Sequence, residues 1–446
     1  MKKIAVLGTG YVGLVSGTCF AEIGHHVTCC DINEAKIRSL QNGVIPIYEP
    51  GLEELAEKNV SDGRLSFTAD IEPAVKAADI IYIAVGTPMS KTGEADLTYI
   101  KAAAQTIGEQ LNGYKIIVTK STVPVGTGKL VYQIVSEASK GTYPFDVASN
   151  PEFLREGSAV RDTMQMERAV IGATSEHAAS VIEELHKPFR TKIVKTNLES
   201  AEMIKYAANA FLAAKISFIN DIANICERVG ADISHVSEGV GLDSRIGNKF
   251  LQAGIGFGGS CFPKDTTALL HIANAAGYPF EMMEAVIETN QKQRVRITEK
   301  LNRAIGPLKG KTVAVLGLAF KPHTNDVRSA PALDIITSLK EQGAHVKAYD
   351  PIAIPEAAAI LGEGGIEYHA EMYSAIKSAD ACLITTDWPE VKEMDLQRVK
   401  RLLKQPVIID GRNMFPLEYM RVSGFTYHSV GRPAVHADRQ IKELAR

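Results

Sequence analysis

Lys3-Ile4-Ala5-Val6-Leu7-Gly8, near the start of the chain, returns as Thr312-Val313-Ala314-Val315-Leu316-Gly317. Gly24-His25-His26-Val27 with Asp31 returns as Gly343-Ala344-His345-Val346 with Asp350, and Ala78 to Ile83 is answered by Ala379 to Ile384. Each copy therefore reads as strand, helix, strand and a later fully apolar strand, the order of a doubly wound parallel sheet. The second copy carries about ten extra residues after its first strand, spanning Lys321 to Arg328. Further apolar runs at Lys115–Lys120 and Asp146–Ser149 predict more strands in the first copy. Between the copies, Leu198 to Val229 holds neither glycine nor proline, and Gly230 follows as a stop. A helix over that stretch would be about 48 Å long, long enough to run between domains or to pair with a copy of itself. More helices are expected over 232–305, interrupted by a glycine-rich loop at 254–259. The predicted fold class is α/β: two Rossmann-like doubly wound domains, residues 1–197 and 306–446, joined by a central helical segment, residues 198–305.

At 446 residues, with 45% apolar and 23% charged, the chain can bury two or three cores, as soluble globular proteins do. A net charge of −3 without long like-charge runs argues against nucleic acid or an anionic membrane as partner. The six cysteines (19, 29, 30, 226, 261, 382) show neither CxxC nor metal-ligand spacing, so no metal is expected and a reducing, cytoplasmic setting is. Met1-Lys2-Lys3 before an apolar run imitates a signal peptide, but its recurrence at 312–317 marks it as a strand. No apolar run reaches membrane-spanning length.

Gly8-Thr9-Gly10-Tyr11-Val12-Gly13 is a G-x-G-x-x-G placed between the first strand and an apolar helix, with Asp31 ending the next strand. The glycines would let a pyrophosphate approach the helix N-terminus, and the carboxylate would bind the ribose hydroxyls and repel the 2′-phosphate of NADP. NAD is the expected cofactor, and Thr87 after the Ala78–Ile83 strand is a further contact candidate. The second copy, Gly317 to Pro322, has lost the paired glycines, so it is either a structural relic or a seat for another phosphate compound, reached by side chains such as Lys321.

The stretch Gly256-Phe257-Gly258-Gly259-Ser260-Cys261-Phe262-Pro263-Lys264-Asp265 sets one cysteine before a helix predicted over Pro263–Ala276. A thiol there, beside Lys264, is favoured as thiolate, although most free cysteines are merely small buried residues. A nucleophilic cysteine with a nicotinamide fold points to oxidation of a carbonyl to the acid level through a thiohemiacetal and a thioester. Lys205 and Asn209, four apart on the long helix, either polarise an oxygen or are a snorkelling lysine and an inter-helix hydrogen bond. Asp265 is by default an ordinary first-turn acid, and otherwise a base or the partner of a lysine. Two loops, Lys120–Thr127 and Asn150–Gly157, bring hydroxyls, acids and aromatics to the carboxyl edge of the first sheet.

With these motifs the chain, over roughly residues 1 to 430, closely resembles the UDP-glucose/GDP-mannose dehydrogenase family. That resemblance implies a four-electron oxidation at C6 of a sugar nucleotide with two NAD+, which on UDP-glucose gives UDP-glucuronate. It implies that Cys261 carries the thioester, that Lys205 and Asn209 stabilise the alkoxide or oxyanion, and that Asp265 with Thr122 and Glu152 handles protons and water. Cofactor contacts are implied at Tyr11, Val12, Asp31, Lys36, Thr87, Thr122, Glu156, Lys264 and Arg328. Substrate contacts are implied at Glu152, Phe153, Leu154, Arg155 and Glu156, at Lys205 and Asn209, at Phe250, Leu251, Gln252, Ala253, Gly254 and Gly258, and at Lys321. Arg245 resembles an arginine that reaches a neighbouring subunit's substrate, so a homodimer on the long helix is expected. Asn248 to Gly254 follows the UDP-glucose pattern, whereas GDP-mannose relatives carry an Arg-Tyr-Tyr loop. Small departures are Met166-Glu167-Arg168, where Pro-Asp-Arg is common, and Ser329, where an acid is frequent. The rival expectations are the same chemistry on GDP-mannose or a UDP-hexosamine, and a sensor without turnover.

Overall fold

The computed structural model describes residues 1–90 and 93–437, so 438–446 of the expected last segment lie outside the described residues. The chain forms two compact units, one from 1–208 with 267–278 and the other from 209–266 with 279 onward.

The first unit is built on strands β1 (Lys3–Leu7), β2 (His26–Cys30), β3 (Leu65–Thr68), β4 (Ile80–Ile83), β5 (Lys115–Thr119), β6 (Phe145–Ser149), β7 (Arg168–Ala173) and β8 (Lys192–Thr196). They lie in the order β3-β2-β1-β4-β5-β6-β7-β8. Neighbours are parallel except β6 with β7. Side chains alternate between two cores. Ile4 and Val6 of β1 join Leu14 and Val15 of the helix Tyr11–Glu22, whereas Ala5 and Leu7 face Ile100 and Ala104 of the helix Thr98–Glu109. Helices on both faces explain why these strands read as unbroken apolar runs rather than alternating ones. The chain order reverses between β1 and β4, the switch point at which open α/β sheets leave a crevice for ligands. The pair β7–β8 was not expected from the sequence; β8 is largely exposed and carries three lysine or threonine side chains among five residues, so it lacks an apolar signature.

The second unit holds β9 (Thr312–Leu316), β10 (His345–Tyr349), β11 (Ile366–Tyr368), β12 (Ala381–Ile384), β13 (Val407–Asp410) and β14 (Thr426–His428). Their order, β11-β10-β9-β12-β13-β14, repeats that of the first six strands and is parallel throughout. The helix Leu198–Val229 occupies the predicted residues. It ends as its sequence requires, with Gly230 left-handed and the Ala231 N–H closing on the Cys226 carbonyl at 3.0 Å. The helix after the cysteine starts at Phe262 and ends at Ala275, one residue earlier at both ends than expected. Cys261 therefore stands immediately before its first turn, and Pro263 takes the second helical position, where its missing N–H is also harmless.

Candidate active site

In the first unit, parallel strands deliver the loops after β1, β2, β4, β5 and β6 to one edge of the sheet. Gly10 precedes the helix Tyr11–Glu22, which no side chain caps, so its first N–H groups remain available to an anion. A Cβ on Gly13 would lie 2.0 Å from the Gly8 carbonyl oxygen, so the turn closes only with glycine there. A Cβ on Gly10 would meet nothing within 4 Å, which leaves room over the turn. These features fit a dinucleotide. Asp31 accepts from the Thr9 N–H at 3.0 Å and hydroxyl at 2.7 Å, and from Lys36 Nζ at 3.2 Å. Burial opposes ionisation of Asp31, but these donors outweigh it and hold the carboxyl below its ordinary range. Thr87 donates to the Thr122 carbonyl at 2.9 Å, joining the loops after β4 and β5.

Register places Thr119 beside Ser149, so the residues that follow β5 and β6 meet. Lys120 Nζ donates to Asn150 Oδ1 at 3.0 Å, and two residues on, Glu152 pairs with Lys205 Nζ at 2.9 Å. Both partners of that ion pair are almost wholly buried. Glu152 also accepts the Leu154 N–H at 2.7 Å, and Lys205 lies 5.5 Å from the centre of the Phe153 ring, over which Arg168 stacks at 3.9 Å. Burial pushes the Lys120 ammonium down to about 8; the Glu152 charge opposes the fall and that of Lys205 adds to it. A buried pair of this kind contributes little net stability, which makes Glu152 and Lys205 candidates for a part in the chemistry. Arg155 turns away to a bidentate pair with Asp162, at 2.9 and 2.6 Å, and its side chain is exposed; Glu156 is half-buried.

In the second unit, Cys261 is the one part-exposed thiol among six, with Ser260 Oγ 3.5 Å from its sulfur. Burial pushes the thiols of Cys19 and Cys30 up to about 12, which leaves them inert. The Asp265 N–H donates to the Cys261 carbonyl at 2.8 Å, and the Asp265 carboxylate, buried, accepts from Asn209 Nδ2 and Lys264 Nζ, both at 2.6 Å. The open alternatives thus resolve in part: Asn209 is a hydrogen-bond partner of Asp265, and Asp265 is the partner of Lys264.

The loop that leads to Cys261 is held by amides the sequence reading passed over. Gly254 N–H donates to Asn220 Oδ1 at 2.8 Å, and its carbonyl accepts from Gln293 Nε2 at 2.8 Å. Asn290 clamps Phe257 on both sides, accepting its N–H at 2.7 Å and donating to its carbonyl at 3.1 Å. A Cβ on Gly256, left-handed at φ 99°, would sit 2.6 Å from Asn290 Oδ1, so the clamp and the glycine go together. The only sequence signal was a polar pair, Asn290 and Gln293, on one face of the helix Glu281–Ile305. Leu251 and Ala253 bury their side chains in the core and offer a ligand only backbone, while Gln252 and the left-handed Phe250 are less enclosed. Gly259 N–H donates to the Arg328 carbonyl at 2.8 Å, Phe320 packs on the Gly259 backbone, and Lys321 Nζ lies 5.2 Å from the Phe320 ring centre. A Cβ on Gly258 would strike the Ser329 carbonyl at 2.4 Å. Arg328 and Arg245 are exposed and each pairs with an aspartate two residues back, Asp326 and Asp243.

The second fingerprint position is closed. Asp350, equivalent to Asp31, is buried and accepts from the N–H groups of Leu318, Ala319, Ile352 and Ala353 and from Trp388 Nε1, at 2.7 to 3.1 Å. Its carboxylate is consumed by the protein, so this sheet does not repeat the ribose contact of the first.

The chain matches three profiles of one family in sequence order: the NAD binding domain over residues 2–190, the central domain over 199–292 and the UDP binding domain over 314–416. It is 76% identical to the UDP-glucose 6-dehydrogenase TuaD of Bacillus subtilis, across 98% of this chain and 94% of that protein. A UDP-glucose dehydrogenase structure from the archaeon Pyrobaculum islandicum superposes with a TM-score of 0.88 at 42% identity, covering 92% of this chain and 94% of that one. A UDP-D-ManNAc dehydrogenase from Pyrococcus horikoshii follows at 0.84 and 29% identity, covering 96% and 99%. Two doubly wound sheets, a half-exposed cysteine at a helix start and an identity that runs nearly end to end leave one conclusion: the chain belongs to the UDP-glucose/GDP-mannose dehydrogenase family.

Proposed function

We propose that this chain oxidises the C6 hydroxymethyl group of UDP-glucose to a carboxylate, reducing two NAD+ to two NADH, taking one oxygen from water and releasing three protons. The observation that carries the substrate is the 76% identity to a UDP-glucose 6-dehydrogenase, against 29% to a UDP-D-ManNAc enzyme of nearly equal coverage. Bound NAD+ supplies a hydride acceptor. The rest falls to the chain. Asp31 and the turn at Gly8, Gly10 and Gly13 hold the dinucleotide, with Tyr11, Val12, Lys36, Thr87, Thr122, Glu156, Lys264 and Arg328 as further contacts. As the C6 hydroxyl gives its proton to Asp265, directly or through an ordered water, and its hydride to NAD+, Lys205, fixed by its pair with Glu152, donates a hydrogen bond to the C6 oxygen, and Asn209 shares that oxygen. The Cys261 thiolate then adds to the aldehyde carbon, a second hydride departs to leave a thioester, and water displaces the sulfur. Thr122 helps to order that water, and the carboxylates of Asp265 and Glu152 take its protons. Phe153, Leu154, the backbone at Arg155 and over 250–254, Gly258 and Lys321 complete the grip on the sugar nucleotide.

Three segments divide this work: 1–197 for NAD, 198–305 for the cysteine loop and association, and 306–446 for the UDP moiety. A homodimer is supported by Phe211, Phe218 and Ile225, which recur at seven-residue spacing on the long helix and are all exposed beyond 50%. Arg245 then reaches the partner's substrate. Phe218→Glu should give monomers in sedimentation; a monomeric wild type would overturn the assembly. Six free thiols support a reducing, cytoplasmic setting, where the activity should fractionate with soluble protein; no helix among the described residues is long and apolar enough to cross a membrane.

The test of function is NADH yield, by absorbance, from UDP-glucose, GDP-mannose and UDP-N-acetylhexosamines in turn. Two NADH per UDP-glucose are expected. Two from another sugar nucleotide and none from UDP-glucose would sink the reading, and tight binding without NADH would favour a sensor.

A further inference from the structure

Glu49 lies in the segment between the helices Glu34–Gln41 and Leu52–Ser61, outside every stretch assigned a role above. Its side chain is nevertheless buried, at 6% exposure, and three donors from two distant stretches of chain, Tyr11 and residues 157–160, converge on it. The Tyr11 hydroxyl, on the first residue of the helix that opens the dinucleotide turn, donates to Oε2. The Gly157 N–H is shared between that same oxygen and the Tyr11 hydroxyl oxygen, at 2.7 Å each, and the Val160 N–H approaches Oε1 at 3.4 Å. Gly157 ends the loop that follows β6. Its beginning is fixed by the sheet, where the Asn150 N–H donates to the Thr119 carbonyl at 3.0 Å and Asn150 receives Lys120. Between the two anchors lie Glu152 and Glu156.

Three donors on two oxygens is a demand for an acceptor-only group. A glutamine must set its NH2 either against the Gly157 N–H, which breaks the bridge, or against the Val160 N–H, which repels it and leaves a neutral, weaker acceptor at Tyr11 and Gly157. A carboxylate that merely closed a surface loop would meet no such constraint.

We propose that Glu49 is a positioning residue: its carboxylate ties the nucleotide turn at Tyr11 to the far end of the Asn150–Gly157 loop, so that one bridge sets both the seat of the cofactor and the grip on the sugar. The kinetic part rests on the NAD-dependent oxidation proposed above; the mechanical part does not. Because Tyr11 and Glu49 act through the same contact, removing either loosens the loop, and removing both adds little to removing Glu49.

The experiment compares full-length wild type, Glu49→Gln, Tyr11→Phe and the double variant. Trypsin cleavage after Arg155, an exposed residue inside the loop, should accelerate about tenfold or more in Glu49→Gln and by a smaller factor in Tyr11→Phe, the milder change, which keeps the proposal testable if Glu49→Gln folds poorly. On folded enzyme, kcat/KM for UDP-glucose should fall about tenfold or more in Glu49→Gln, while iodoacetamide should alkylate Cys261 at the wild-type rate in all four proteins. The double variant should match Glu49→Gln. Unchanged cleavage after Arg155, effects that multiply in the double variant, or a loosened loop with wild-type kinetic constants would each overturn the proposal. A wild type that forms no NADH from UDP-glucose would instead refute the functional reading, and cleavage would then decide this one alone.

Discussion

Asn290→Ala isolates the clamp behind the cysteine loop. The alanine leaves the Phe257 N–H, in a buried segment, without its acceptor, whereas the Phe257 carbonyl keeps Arg294 Nη2 at 2.7 Å. One orphaned N–H costs about 1–3 kcal/mol, and the space left by the amide adds a little, so the loss should be near 2–3 kcal/mol. The chain has a single tryptophan, Trp388, buried in the second unit and bonded to Asp350 at 3.0 Å. Its fluorescence therefore reports urea unfolding of the unit that contains the clamp. With a slope of about 2 kcal/mol per molar, the midpoint should fall by about 1 M. Because the loop runs from Gly254 to Cys261, displacement of its backbone should also lower kcat by about 10- to 100-fold, with a smaller change in KM for NAD+. A midpoint within about 0.3 M of wild type, with kcat within twofold, would refute the idea that this amide holds the nucleophile's loop.

Asp31→Asn should raise KM for NAD+ by about tenfold or more and narrow the preference over NADP+, since a charge-assisted hydrogen bond contributes about 1.5–3 kcal/mol; unchanged constants for both cofactors would contradict the role of that carboxylate. Glu202, buried on the long helix, accepts the N–H groups of Gly126 and Gly128 at 2.7 and 2.6 Å, yet burial pushes its carboxyl up to about 7. A folded value above the unfolded one stabilises the fold fully below pH about 4.5 and loses that contribution as pH rises through 7. Melting of Glu202→Gln should therefore depend less on pH between those values, and an unaltered slope would dispose of the argument.

The doubly wound repeats were legible because a strand covered on both faces must be apolar throughout, and Ile4 to Leu7 and Val313 to Leu316 are. The long helix was legible from its lack of glycine and proline and from Gly230. The cysteine loop was legible as chemistry, since glycine, cysteine and proline each have a restricted use there. What holds that loop was not. Asn290 and Gln293 come from a helix more than thirty residues away, and on a helix otherwise rich in charge they look like surface amides until tertiary packing buries them. Lys120 and Glu49 were hidden for a related reason: a buried charge is recognised by its partners, and Asn150 and Gly157 are distant in sequence. The start of the helix at Phe262 rather than Pro263 shows the limit of reading a boundary from proline alone.

The most direct measurement is peptide mass spectrometry of enzyme quenched in acid while turning over UDP-glucose with NAD+. The account predicts that the peptide bearing Cys261 gains the mass of a UDP-glucuronyl group, in an adduct that hydroxylamine releases. Sustained acid formation with that peptide unmodified, or formation of two NADH per sugar by a Cys261→Ala variant, would contradict it.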